Sequence, residues 1–126
     1  MNIVYLTSDE VLEIHELLIK EFGGQAGIRD RGLLESALHR PQSGYYENLF
    51  EQAAALMESL ALNHVFLDGN KRISFSATKV FLLANGFHLQ VETEEAERFL
   101  IGEIIKNRCE LLATAAWLKK YSKPYK

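Results

Sequence analysis

The stretch His64-Val65-Phe66-Leu67-Asp68-Gly69-Asn70-Lys71-Arg72 decides both the fold and the chemistry that we predict for this chain. A strongly helical apolar pattern leads into it from residue 47, and a second such pattern leaves it, so it is predicted to join two core helices. Its nine positions hold an imidazole, a carboxylate, a glycine, an amide and two cations. No other part of the sequence gathers so many groups that exchange protons or bind phosphate.

The helix before this stretch is predicted to be the central and most buried one. Its apolar positions recur at spacings of three and four and include small alanines, which favour close packing against neighbouring helices. These positions are Phe50, Ala53, Ala54, Met57, Leu60 and Ala61. Extending the same spacing by three residues reaches His64, so its imidazole is predicted to point inward at the rim of the core.

The rest of the chain predicts further helices and a minor β element. Residues 7–10 match a capping box, which marks a helix start. Short strands are predicted at 2–6 and 87–91, where they could pair with each other. A last helix is predicted at about 110–121, and the tail 122–126 is predicted to be frayed.

Three features allow more than one interpretation. The glycine-rich segment 23–30 could be a phosphate loop, but no Gly-Lys-Ser or Gly-Lys-Thr follows, so we predict a turn that ends at Asp30 as a helix N-cap. The segment 40–46 could be a β-hairpin flap that presents a substrate strand, or a loop against the core. His15 lies beside an apolar helical stripe and is predicted to be a packed histidine rather than a ligand.

Composition excludes several classes of function. With 126 residues, 48% hydrophobic and 25% charged, the chain has the profile of one soluble domain. A net charge of −3 argues against broad electrostatic binding to nucleic acid. Cys109 is the only cysteine, which excludes an internal disulfide and fits a reducing compartment. No signal peptide or membrane span is recognisable, so we expect a cytoplasmic protein that binds neither nucleic acid nor membrane.

The second half of the central stretch has the groups of a phosphate-binding helix start. The first turn of a helix carries unpaired N–H groups and partial positive charge, which suit an anion. Gly69 would let a phosphate approach the backbone, and Asn70 could cap the helix or donate to a phosphoryl oxygen. Lys71 adds a point charge, and Arg72 can bind two oxygens at once.

The first half has the groups that could carry out transfer. A carboxylate beside a phosphate site fits a Mg²⁺ ligand, so Asp68 is predicted to hold magnesium. His64 can accept a proton from a hydroxyl at neutral pH, and Phe66 is predicted to be an apolar plug that anchors the turn. Each residue alone would favour a structural role, whereas the whole set favours phosphoryl or nucleotidyl transfer to a protein hydroxyl.

The motif His64-x-Phe66-x-Asp68-Gly69-Asn70-Lys71-Arg72 resembles the signature of the Fic/Doc superfamily, specifically its death-on-curing (Doc) branch. The likeness extends through 24–30 and 34–38 to Asn85-Gly86. It implies a compact, mainly α-helical single domain over residues 1–126, acting as the toxin of a toxin–antitoxin pair. It further implies a kinase that uses ATP and Mg²⁺ on translation elongation factor Tu, and an antitoxin that folds a segment onto the toxin.

Two positions depart from the broader Fic pattern. Fic adenylyltransferases have glycine where this chain has Lys71, and a second arginine where it has Phe75. The resemblance therefore implies a differently oriented nucleotide whose γ-phosphate is delivered to the acceptor. The alternatives are AMP transfer by the same site and a catalytically silent binding module.

The resemblance also implies a role for each residue of the site. His64 would be the general base, and Asp68 would be the magnesium ligand. The phosphates would be held by Asn70, Lys71 and Arg72, beside the close backbone approach that Gly69 allows.

Overall fold

A computed structural model describes residues 2–125, which form a mainly α-helical fold with one small sheet, as predicted. In chain order the elements are α1 (Ser8–Phe22), α2 (Arg31–His39), a 3-10 turn (Arg40–Gln42), α3 (Leu49–Leu62), α4 (Asn70–Ala84), β1 (Phe87–Leu89), α5 (Thr93–Phe99), a π-helix (Leu100–Lys106), α6 (Leu111–Lys120) and β2 (Ser122–Pro124). Within residues 2–125 no helix combines the length and the apolar character needed to cross a bilayer.

Helix α3 lies at the centre of the fold, as its apolar pattern predicts. Nine of its fourteen residues are buried, including Ala53, Ala54 and Ala55 in succession. The small side chains let α4 and α6 pack closely against α3 from different sides. The turn that carries the predicted site is therefore attached to the most deeply buried helix of the molecule.

Side-chain caps fix where the first two helices begin. The Thr7 Oγ accepts a hydrogen bond from the Glu10 N–H at 3.2 Å, and the Thr7 N–H donates to Glu10 Oε1 at 2.8 Å. This capping box confirms the predicted start of α1. The Leu33 N–H donates to Asp30 Oδ1 at 3.0 Å, which confirms Asp30 as the N-cap of α2. The segment 23–30 is thus held between two defined helix ends.

The small sheet pairs β1 with β2 in antiparallel, with Leu89 opposite Ser122. The strand predicted at 87–91 is confirmed in its first three residues. The prediction of a frayed tail is wrong for 122–124, and residue 126 lies outside the described residues. Because Leu89 is almost fully buried, this pairing closes one edge of the core.

The prediction of a strand at 2–6 is wrong for the described residues. The side chain of Asn85, and not a neighbouring strand, pairs with the backbone of this segment. The Val4 N–H donates to Asn85 Oδ1 at 2.8 Å, and Asn85 Nδ2 donates to the Val4 carbonyl oxygen at 2.9 Å. The next residue, Gly86, accepts a hydrogen bond from the Tyr125 N–H at 2.8 Å. Both ends of the described chain are therefore attached to the turn that follows α4.

Candidate active site

The turn between α3 and α4 is clamped to the segment 23–30 by main-chain hydrogen bonds. The Leu67 N–H donates to the Gly27 carbonyl oxygen at 3.1 Å, and the Arg29 N–H donates to the Val65 carbonyl oxygen at 2.8 Å. The segment predicted to be a turn therefore forms part of the frame that supports the candidate site.

His64 is exposed and lies just beyond the end of α3. The helix ends at Leu62 with Asn63 as its C-cap, and His64 itself is left-handed with φ of +51°. The prediction that its imidazole points into the core is therefore wrong, because helical spacing does not continue past the helix end. The Arg29 guanidinium fixes this backbone, since its Nε donates to the His64 carbonyl oxygen at 2.6 Å and its Nη2 to that of Asn63 at 3.2 Å.

Phe66 is the anchor of the turn, and its predicted burial is confirmed at 1% exposure. Its ring stacks on that of His15 with centroids 3.8 Å apart. His15 is also buried, as predicted for a packed histidine, and its Nε2 lies 2.8 Å from the Asp68 main-chain carbonyl oxygen. A carbonyl oxygen only accepts, so Nε2 of His15 is the protonated ring nitrogen.

Asp68 presents an exposed carboxylate whose direction is fixed by two main-chain amides. The Gln25 N–H donates to Oδ2 at 3.1 Å, and the Gly69 N–H donates to Oδ1 at 2.8 Å. These hydrogen bonds, with a smaller contribution from the charge of Arg72, hold the pKa of Asp68 below its ordinary value. Gly24 packs so closely that a Cβ there would stand 2.8 Å from Oδ2. The result is an ionised, oriented carboxylate.

The start of α4 leaves main-chain amides open. Gly69 is the left-handed N-cap, with φ of +77°, and provides no side-chain cap. The first helical N–H to find a main-chain partner is that of Ile73, which donates to the Gly69 carbonyl oxygen. Asn70 does not cap the helix, because its amide binds the Phe66 backbone, accepting from the N–H and donating to the carbonyl oxygen at 3.0 Å each. Asn70 can therefore offer a phosphate its main-chain N–H, while its side chain locks the turn.

Lys71 and Arg72 are both exposed, and neither belongs to an ion pair within residues 2–125. The Arg72 guanidinium lies over the Phe22 ring, 4.5 Å from its centroid. Such a contact orients the cation but leaves it able to bind an anion.

The predicted residues face two adjoining hollows. A cleft of about 300 Å³ is lined by most of them, namely His64, Asp68, Gly69, Asn70 and Lys71. Arg72 instead lines a smaller hollow of about 190 Å³ on the other side of Asp68. Asp68 and Gly69 border both hollows, so the turn divides them. Five of the six candidates are thus brought together in one cleft, which Arg72 does not line.

The sequence did not point to three residues that complete the site. Arg29 holds the backbone of His64, and Ile105 and Arg108 line the larger cleft. Ile105 and Arg108 come from the π-helix and the turn after it, a form that periodic apolar spacing does not reveal. The segment 40–46 is a 3-10 turn followed by a loop, so the hairpin-flap alternative is wrong.

A family model described as the Fic/DOC family matches residues 5–82. The chain belongs to this family. It is similar to Toxin Doc of Mycolicibacterium smegmatis, with 36% identity over 124 residues that cover 94% of this chain and 93% of the relative. It is also similar to Protein kinase doc of Escherichia phage P1, with 31% identity over 97 residues that cover 74% of this chain and 77% of the relative. All six predicted site residues lie within the span that the family model matches.

Proposed function

We propose that this protein is a Doc-type toxin of a toxin–antitoxin pair that transfers the γ-phosphate of ATP to a hydroxyl of a protein, expected to be elongation factor Tu. One observation carries the proposal: exposed His64 and ionised Asp68 line the same cleft as Lys71 and the open start of α4. Phosphoryl transfer needs this combination of a base, a metal ligand and phosphate donors in one place. The phage relative is named a protein kinase, which agrees with the proposal.

His64 is assigned the role of general base. It would accept the proton of the acceptor hydroxyl as the hydroxyl oxygen bonds to the γ-phosphorus. The bond from that phosphorus to the β–γ bridging oxygen breaks, and ADP leaves with the electron pair. The hydrogen bonds from Arg29 to the carbonyl oxygens of His64 and Asn63 hold the backbone that carries this imidazole, and His64 lines the cleft.

Asp68 is assigned to Mg²⁺. Among the residues that line the cleft Asp68 is the one carboxylate, so it would be the carboxylate ligand of the ion. Magnesium is commonly held in this way, with phosphate oxygens and waters as the other ligands. When bound, the ion would neutralise charge on the phosphates. The amides of Gln25 and Gly69 each take one carboxylate oxygen of Asp68, which keeps that ligand in a single orientation.

The phosphate chain is assigned to the start of α4. Its main-chain amides and the side chains of Lys71 and Arg72 supply the positive potential. Lys71 lines the cleft at the position where AMP-transferring relatives are expected to have glycine. A lysine side chain there prevents the close approach of a phosphate to the backbone that glycine would allow. This favours transfer of the γ-phosphate over transfer of AMP.

The decisive experiment identifies which phosphate of ATP is transferred. Purified protein is incubated with elongation factor Tu, Mg²⁺ and ATP labelled at either the α- or the γ-phosphate. We expect transfer of the γ-label alone, and its loss in His64→Ala. Transfer of the α-label would establish AMP transfer instead. Growth arrest by His64→Ala equal to that of the wild type would favour a silent binding module.

An antitoxin is the expected partner, and an apolar groove beside the site could receive a segment of it. The groove measures about 300 Å³ and runs between α1, α4 and α5, with Lys71 and Arg72 at its rim. Its apolar lining comes from Leu18, Phe22, Phe75, Ala96 and Leu100. Co-purification with the product of a neighbouring small reading frame tests this pairing. We expect both partners to act in the cytoplasm, without nucleic acid or membrane bound to this chain.

A further inference from the structure

Two non-glycine residues within residues 2–125 have a left-handed backbone, and both line the same cleft. These are His64, with φ of +51°, and Arg108, with φ of +50°. Each follows a helix C-cap, Asn63 or Asn107, at a position where glycine is strongly preferred. A side chain in this conformation is disfavoured, and such residues cluster at functional sites. The pairing singles out Arg108 for a role in the cleft.

Hydrogen bonds within the protein hold the backbone and the side-chain stem of Arg108 in place. The turn is fixed on both sides, because the Asn107 N–H donates to the Gly102 carbonyl oxygen at 3.0 Å and the Cys109 N–H donates to that of Glu103 at 2.9 Å. The Arg108 Nε donates to the Ile105 carbonyl oxygen at 3.0 Å, which holds the stem of the side chain. Within residues 2–125 its two Nη groups have no hydrogen-bond or ion-pair partner, so they remain free for a ligand.

We propose that Arg108 binds the phosphate chain of the nucleotide, from a wall of the cleft that α4 does not form. This inference rests on the proposed function. Lys71 and Arg108 both border the cleft, whereas Asp68 is the one carboxylate among its lining residues. Two cations and the open amides of α4 suit a polyanion better than a single carboxylate of a protein acceptor. Arg108 lies outside the residues 5–82 that define the family match.

The test uses Arg108→Gly, which removes the guanidinium and suits the left-handed backbone. Its melting temperature should equal or exceed that of the wild type. Lys106→Ala is the matched control, because it removes a neighbouring exposed cation that does not line the cleft. Arg108→Asn, which tolerates the same backbone, guards against an unexpected folding defect. Calorimetry with Mg-ATP gives Kd, and γ-phosphate transfer gives KM for ATP and for the protein acceptor.

We expect Arg108→Gly and Arg108→Asn to raise Kd and KM for ATP about tenfold, the size of one lost charge-assisted hydrogen bond. The KM for the protein acceptor should stay unchanged, and Lys106→Ala should match the wild type. Wild-type ATP affinity in both Arg108 variants, with γ-transfer intact, would overturn this inference and leave the proposed function standing. A rise confined to the KM of the acceptor would also overturn it. If the wild type binds ATP but transfers no phosphate, weaker ATP binding by both variants would support this inference and reject the proposed reaction. If the wild type binds no ATP, both the inference and the proposed function are rejected.

Discussion

The Nε2 atom of His15, on α1, lies 2.8 Å from the main-chain carbonyl oxygen of Asp68, on the turn before α4. The same imidazole stacks on Phe66 at 3.8 Å between centroids. One buried side chain thus holds both the apolar anchor of the turn and the residue assigned to magnesium. The position of the Asp68 carboxylate therefore depends on a helix that contributes no group to the larger cleft.

Substitution of His15 should reduce phosphoryl transfer through this contact. His15→Phe keeps an aromatic ring against Phe66 but removes the donor to Asp68, so we expect a stability loss of about 1 kcal/mol and weaker Mg-ATP binding. His15→Ala removes the stack as well and should cost more of both. Urea unfolding and calorimetry measure the two effects. Wild-type Mg-ATP affinity in His15→Phe would show that the hydrogen bond does not position Asp68.

Gly24→Ala should weaken magnesium-dependent ATP binding by more than its loss of folding stability explains. The added Cβ would stand 2.8 Å from Asp68 Oδ2 and force the carboxylate to move. Gly23→Ala is the control, because Gly23 also has a positive φ but has open space around the added Cβ. Both variants should lose about 1–3 kcal/mol of stability from backbone strain. Equal ATP affinity in the two variants would argue against a magnesium role for Asp68.

The free energy of unfolding should fall at acidic pH, because Asp68 becomes protonated. The pKa of Asp68 is lowered from 3.8, chiefly by the Gln25 and Gly69 amides, so the unfolded carboxyl binds a proton at a higher pH than the folded one. The ionised group therefore stabilises the fold above that ordinary value, and this contribution is lost as pH falls through the lowered folded value.

Asp68→Asn should accordingly be less stable than the wild type at neutral pH. We expect the gap in unfolding free energy to narrow once pH drops below the ordinary pKa of 3.8. Chemical denaturation across a pH series measures it. A gap of constant size at every pH would mean that the carboxylate of Asp68 gains nothing from its two amide donors.

Phe66→Ala should destabilise the protein by about 3–5 kcal/mol, because a fully buried ring leaves a cavity. The loss of the stack on His15 adds to this. The neighbouring Leu67 is about half exposed, so Leu67→Ala should cost less than about 1 kcal/mol and serves as the stability control. Thermal or urea unfolding distinguishes the two. A small effect of Phe66→Ala would contradict its role as anchor.

The helices and their starts could be predicted because their causes are local. Apolar spacing located α3 and α4, and the capping pattern of Thr7 with Glu10 lies within four residues of sequence. The site residues were likewise gathered in one nine-residue stretch. Five of the six line one cleft because a single turn carries them, and a sequence can specify such a turn.

The remaining features depend on contacts between distant segments. His15 and Asp68 are 53 positions apart, and nothing near His15 indicates its partner. The exposure of His64 was missed because α3 ends at Leu62 and the His64 backbone turns left-handed, which apolar spacing does not show. The predicted pairing of strands at 2–6 and 87–91 was also wrong. Three-residue strands carry little sequence signal, and β1 pairs with β2 in the tail instead.

The hydrogen bonds of Val4 to Asn85 and of Tyr125 to Gly86 bring the first and last described segments to adjacent residues of one turn. A short linker could therefore join residue 125 to residue 4 without crossing the molecule. Circular permutants opened in the exposed loop around Gly44 would keep His64, Asp68 and Arg108 on one continuous chain. Such a rearranged protein would carry its ends, and any label or fusion attached to them, in this loop instead of beside Gly86.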